Sequence, residues 1–335
     1  LNWVSDNFGW WLVLFALILV LLVFGLAFSK AGDVVIGGAG AKPEYTMWQW
    51  FSMSLKGGIG TGILFWAMGE PIFHMAAPPA AAGAQPFTRE AGLFAISQTM
   101  LHWTIAQYAM YSLCAVGVAL MAYNRRRTIS VSSIFEPYLS SSVYGVVKTV
   151  VPMVSLFCIV GALACSMAVG LMQINSGLNF FFGLPIDGVT VFAIAAIMVT
   201  VYVVSCLTGI KKGMRVLSSF CTIVFIGLMV YVLCLGPTRF IVDAGTESLG
   251  VFFNRFFEHS VILPTMAENE TWSKSWIIMF MASFFVYAPI IGLFLARLGK
   301  GRTVREFIFM NIGAPTLFCI VWIAIWGGTT VWLQY

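Results

Sequence analysis

The chain has 335 residues, of which 60% are hydrophobic and 9% charged, with a formal net charge of +5. Soluble domains are about 25% charged, so this composition excludes an ordinary water-solvated domain and indicates a single polytopic membrane bundle over 1–335. The basic residues fall in short clusters between apolar runs, a pattern of membrane topology that argues against a nucleic-acid partner.

Eight apolar runs are long enough to cross a hydrocarbon core about 30 Å thick, which takes roughly 20 helical residues. In chain order they are Phe8 to Phe28, Trp48 to Phe73, Gly92 to Tyr123, Val146 to Phe181, Gly188 to Gly209, Met214 to Gly236, Ser275 to Leu298 and Phe307 to Leu333. The first lacks the basic flank and small-residue cleavage site of a signal peptide, so it reads as a membrane span. None shows the period-two alternation of barrel strands. Since lipid leaves no backbone hydrogen bond open, all eight are predicted as helices.

The Lys and Arg distribution sets the sidedness. If the spans alternate, the connections holding Arg125, Arg126, Arg127 and Lys148, then Lys211, Lys212 and Arg215, then Lys300, Arg302 and Arg305 share one side, the cytoplasmic one. Leu1 and Tyr335 then lie outside. So does the 237–274 connection, in which Asp243, Glu247, Glu258, Glu268 and Glu270 stand against Arg239, Arg255 and Lys274. Its Ser248 to Phe257 stretch places Leu249, Val251, Phe252, Phe253, Phe256 and Phe257 mostly on one face, which predicts an amphipathic helix on the outer surface. An irregular apolar loop is the alternative.

Three segments bear on chemistry. The second span holds Gly57-Gly58-Ile59-Gly60-Thr61-Gly62, and glycine costs about 1 kcal/mol against alanine in a helix interior. The stretch serves either as an unwound hinge whose carbonyls meet an ion or ligand, or as a small-residue packing face through Gly58 and Gly62. Lys56 before it either snorkels to the cytoplasmic interface or places a tethered ammonium in a cation site. Glu70, followed by Pro71, holds the helix end or pairs with a basic residue. In the third span Tyr108 and Tyr111 share a face, with Trp103 within reach. These rings either pack or line a box whose faces attract a cation. All seven cysteines lie inside apolar segments without metal-ligand spacing, and no nucleophile elbow or phosphate loop is present. Neither an enzyme nor a metal site is expected.

Taken together, these segments resemble the betaine/carnitine/choline transporter family nearly end to end. The resemblance is carried by Phe8-Gly9-Trp10-Trp11, by the glycine stretch closing in Glu70-Pro71, by His102-Trp103-Thr104 and by Gln173-Ile174-Asn175-Ser176-Gly177-Leu178. Most specific is Pro289 to Arg297 followed by Gly301 to Phe307, which is similar to the family's signature helix and cytoplasmic loop. The resemblance implies an all-α, LeuT-type bundle of two inverted five-helix repeats within twelve helices, of which this chain represents helices two to nine. The chain is therefore expected to be a fragment.

By the same resemblance the substrate's ammonium sits among Trp103, Tyr108, Tyr111 and Phe284, with Met281 and Tyr287 beside them. The signature helix departs from the family's tryptophan-rich pattern, reading Trp276-Ile277-Ile278-Met279-Phe280-Met281 before Phe284. Thr61 stands where proton-coupled members carry an aspartate, so the expected coupling ion is sodium, held by the backbone of Gly58, Ile59, Gly60, Thr61 and Gly62. The implied function is secondary active, alternating-access transport of a small quaternary ammonium compound of the glycine betaine, choline or carnitine type. It is placed in the inner (plasma) membrane, with a homotrimer suggested by some relatives. The alternative is a sodium-independent transporter or exchanger for a different amine or amino acid, with Lys56 replacing the ion's charge.

Overall fold

The computed structural model describes residues 2–58, 61–207, 213, 215–265 and 271–335, with the side chains at 2, 58, 61 and 215 outside that description. Among the described residues the chain is helical, with one isolated antiparallel bridge between Val35 and Thr303. The helices are α1 (Asn2–Phe28), α2 (Met47–Gly58), α3 (Thr61–Ala76), α4 (Arg89–His102), α5 (Ile105–Ala119), α6 (Ser141–Phe182) and α7 (Gly188–Leu207). They continue with α8 (Arg215–Leu235), α9 (Thr238–Asn254), α10 (Phe256–Ser260), α11 (Met279–Leu298), α12 (Val304–Ile308) and α13 (Ala314–Gln334). Single π-helical turns extend α5 over Leu120–Asn124, precede α11 over Lys274–Ile278 and join α12 to α13 over Phe309–Gly313.

Among the described residues, 7 helical stretches are long and apolar enough to cross a membrane, each within a few residues of a predicted span. The remaining predicted span, Trp48 to Phe73, corresponds to α2 and α3, of 12 and 16 residues, on either side of positions 59 and 60. Helix α3 runs through Pro71 and ends at Ala76, so the proline does not stop it. The third predicted span differs more. It is not one uninterrupted helix but α4 and α5, parted at Trp103 and Thr104, where Thr104 has φ −122° and ψ −117°.

Helices α5 and α11 are in extensive contact, and Gly292 permits a close approach between them. A Cβ at that position would lie 2.7 Å from Cys114 Sγ and 3.2 Å from the Ala115 backbone nitrogen. On the other flank α3, α4, α9 and α13 pack together around buried Trp322 and Phe252. By contrast α6, α7 and α8 present Phe157, Phe192 and Phe220 outward, as suits helices whose solvent is hydrocarbon.

The two ends of the bundle sort as the span parity requires. At one end Asn124 accepts from Gly37 N at 2.8 Å and donates to Val35 O at 2.9 Å, Ile36 N donates to Arg302 O at 2.9 Å, and Arg305 pairs with Asp33 at 2.7 Å. The connections after α1, α5 and α11 therefore meet there, on the side assigned to the cytoplasm. Thr303 closes that end with a reciprocal cap: its Oγ1 accepts from Glu306 N at 3.1 Å, and Glu306 Oε2 accepts from Thr303 N at 2.9 Å. At the opposite end Lys274 pairs with Asp6, and Arg89 with Glu247 at 2.5 Å. Lys211 and Lys212 lie outside the described residues.

The outer connection contains a helix, but its start and phase differ from the prediction. Helix α9 begins at Thr238, ten residues before Ser248, and buries Ile241, Ala244, Gly245, Ser248 and Phe252. Leu249, Val251, Phe252 and Phe256 are buried or half-buried, while Phe253 and Phe257 are 63% and 59% exposed, so four of the six apolar residues turn inward and two do not. The helix phase is set by Gly245, whose missing side chain lets the backbone approach Ala324 of α13; a Cβ there would sit 3.0 Å from the Ala324 Cβ.

Candidate substrate site

A cavity of about 460 Å³ lies within the bundle, walled by residues of α2, α3, α5, α6 and α11 and by Trp103 at the α4–α5 break. That volume suits a small solute. Its rings are set at steep angles to one another. Trp103 meets Phe280 edge-on at 5.2 Å between centroids and Phe284 at 6.4 Å, and Tyr111 meets Phe284 at 6.4 Å with an interplanar angle of 88°. A neighbouring cavity of about 490 Å³ shares Gly62, Trp66, Ser166, Ser283 and Tyr287 with it and continues between α6 and α11.

Of the residues named from sequence, Trp103, Tyr111, Phe284, Tyr287 and Gly62 come together in this wall. Tyr108 and Met281 lie outside it. The Tyr108 hydroxyl shares a hydrogen bond of 3.5 Å with Cys319 Sγ on α13, and Met281 is buried in the core. Helical phase accounts for both: Trp103, Gln107 and Tyr111 recur every four residues, and Phe280, Phe284, Tyr287 and Ile291 recur at four, three and four. Each residue outside the wall is offset by one position from a lining residue. The sequence reading passed over Trp66, Gln107 and Phe280, of which Gln107 and Phe280 were accessible from that spacing. Ile59 and Gly60 of the expected hinge lie outside the described residues, as do the side chains of Gly58 and Thr61.

Behind Trp103 stands a buried polar cluster. Glu70 Oε2 accepts from Trp103 Nε1 at 2.8 Å, while Oε1 accepts from His74 Nε2 at 3.0 Å and from His102 Nδ1. Trp272 Nε1 donates to His74 Nδ1 at 3.1 Å, so the His74 proton resides on Nε2. Gln98 Nε2 lies 3.0 Å from His102 Nε2, completing the second ring. Glu70, His74 and His102 are all fully buried. Their ligand atoms lie within 4.8 Å of one another, close enough to gather round an ion. Their hydrogen bonds are instead directed at one another and at Trp103, Trp272 and Gln98, an arrangement that locks the Trp103 indole.

Chemically, the wall offers π faces beside polar side chains from Lys56, Gln107, Tyr111, Ser166, Ser283 and Tyr287. Ring faces attract cations, including those that cannot donate a hydrogen bond, by about 0.5 to 2 kcal/mol per contact. The Glu70 carboxylate behind Trp103 is not among the residues lining the cavity, and its oxygens are bonded to Trp103, His74 and His102. Trp103 cannot rotate freely: Glu70 holds its nitrogen, and a Cβ at Gly62 would lie only 2.8 Å from its Cη2.

The sequence model described as "BCCT, betaine/carnitine/choline family transporter" matches residues 1–335. A "Probable glycine betaine transporter" of Desulfitobacterium hafniense is 30% identical over 97% of this chain and 64% of its own length. The "Osmo-dependent choline transporter BetT2" of Acinetobacter baylyi is 30% identical over 99% of this chain and 48% of its own. An "Ectoine/hydroxyectoine transporter" of Virgibacillus pantothenticus is 29% identical over 99% and 65% respectively. The chain thus spans between about half and two thirds of the length of these relatives. With the family model covering all of its residues, this chain belongs to the betaine/carnitine/choline transporter family.

Proposed function

We propose that the protein of which this chain is part is a secondary active transporter of a small methylated-ammonium solute, carried by alternating access and coupled to sodium. The aromatic wall of Trp103, Tyr111, Phe280 and Phe284 is the observation that supports this reading. It offers a permanently charged ammonium what such a group prefers, ring faces in place of hydrogen-bond acceptors. Family membership and relatives named for glycine betaine and choline transport support the same solute class. The inverted-repeat LeuT-type core, the homotrimer and the inner-membrane location belong to the proposal by family analogy.

The test is uptake of radiolabelled glycine betaine, choline and carnitine into proteoliposomes holding the full-length protein, with and without an inward sodium gradient. Saturable uptake of at least one of them, stimulated by sodium, is expected. Uptake that ignores sodium would remove the coupling ion from the proposal, and uptake of none under any gradient would sink the solute class.

A further inference from the structure

Lys56 of α2 lines the same cavity as the aromatic wall, and it is the one lysine or arginine among the described lining residues. Its Nζ is buried, has no hydrogen-bond partner and lies 3.3 Å from the centroid of the Phe225 ring on α8. An ammonium taken out of water loses its hydration, and a single ring face restores only a fraction of that loss. What the group lacks is an anion. None of the described residues lining the cavity is acidic, and Glu70 is committed to Trp103, His74 and His102.

Two unlike features therefore meet at one small space: π faces that favour a cation, and, reached by the Lys56 side chain at the margin of the wall, an ammonium lodged against Phe225 that favours an anion. A simple cation entering here would meet the rings and also the uncompensated charge of Lys56, and like charges in a site shielded from water repel strongly. A solute carrying both charges satisfies each feature. From this geometry we infer that the cavity takes zwitterions with a methylated ammonium and a carboxylate, and that Lys56 determines this specificity by pairing with the carboxylate. The inference rests on the proposed function and narrows its solute class. The four-carbon stem of Lys56 gives its Nζ the freedom to leave the Phe225 face and follow a carboxylate as it binds.

The test compares inhibition of glycine betaine uptake by unlabelled glycine betaine, by its methyl ester and by choline, in full-length protein reconstituted in proteoliposomes. The ester keeps the ammonium and removes the anion. In the wild type the ester and choline are expected to be weaker by about tenfold or more, the scale of a broken buried charge pair. Lys56→Met is expected to lose that discrimination, and Lys56→Arg to keep it. Equal potency of ester and betaine on the wild type overturns the inference without recourse to any variant. So does a Lys56→Met protein that still discriminates, whether or not its sodium dependence has changed. Uptake of no quaternary ammonium solute would instead overturn the transporter reading, and this inference with it.

Discussion

Glu70→Ala is expected to destabilise the folded protein by about 3–5 kcal/mol, the range for removing one partner of a buried charged cluster. Three donors converge on this carboxylate, from Trp103, His74 and His102. Alanine would leave all three without an acceptor in a site where water does not reach, and each buried unsatisfied group costs about 1–3 kcal/mol. Glu70→Gln separates stability from binding. Its amide keeps one oxygen acceptor but turns an NH₂ toward at least one donor, so the cluster cannot be satisfied as a whole. The expected pattern is severe loss of detergent-stable protein for Glu70→Ala, and a milder loss with weakened glycine betaine affinity for Glu70→Gln. Thermal unfolding of the purified full-length protein, read beside ligand binding, checks both. An alanine variant as stable as the wild type would show that the cluster does not support the fold.

The second large effect is expected at Gly62. A methyl group there would stand 2.8 Å from Trp103 Cη2, well inside contact distance, and the indole can yield only by giving up its bond to Glu70. Gly62→Ala should therefore turn Trp103 out of its place in the wall and lower substrate affinity by about tenfold or more, equivalent to the loss of one good cation–π contact and the fit around it. Helix propensity acts in the opposite direction on stability, since alanine is favoured over glycine by about 1 kcal/mol. Equilibrium binding should fall, and thermal stability should not rise, because the lost Trp103–Glu70 hydrogen bond offsets the propensity gain. A variant that binds normally yet transports poorly would move the role of Gly62 from the wall to the conformational change.

The contrast between these two sites shows what the sequence conveys. Spans such as 188–207 and 304–334 were legible because lipid demands about 20 apolar residues in a row. The break at Trp103 and Thr104 was not legible, because Leu101-His102-Trp103-Thr104-Ile105 contains neither glycine nor proline to signal it. His74 sits four residues after Glu70, so that pair was within reach of helical spacing. His102 is 32 positions away, and only the packing of α3 against α4 brings it to the same carboxylate.

Register carried the same lesson within the site. Phe280 and Met281 are adjacent in sequence, but about 100° of helical turn puts the ring in the wall and the thioether in the core. Tyr108 is separated from the wall in the same way, one position past Gln107. On the outer connection Phe253 and Phe257 depart from the expected face for a different reason. Its aromatic run, Phe252-Phe253 and Phe256-Phe257, looks like a single apolar face, yet the small residues Ala244, Gly245 and Ser248 set which side meets the bundle. In a membrane protein close approach of small residues outweighs apolar bulk in choosing the contact face.

The proposed recognition rests on the ring faces attracting the positive charge of the solute and not its shape alone. Equilibrium binding of glycine betaine to the purified full-length protein, compared with 3,3-dimethylbutanoate, tests this directly, because the second molecule replaces the ammonium nitrogen by carbon and keeps size and carboxylate. Binding of the betaine at least about tenfold tighter, reduced toward the isostere's level by Trp103→Leu, is the expected result. Equal binding of the two would contradict cation recognition by the aromatic wall.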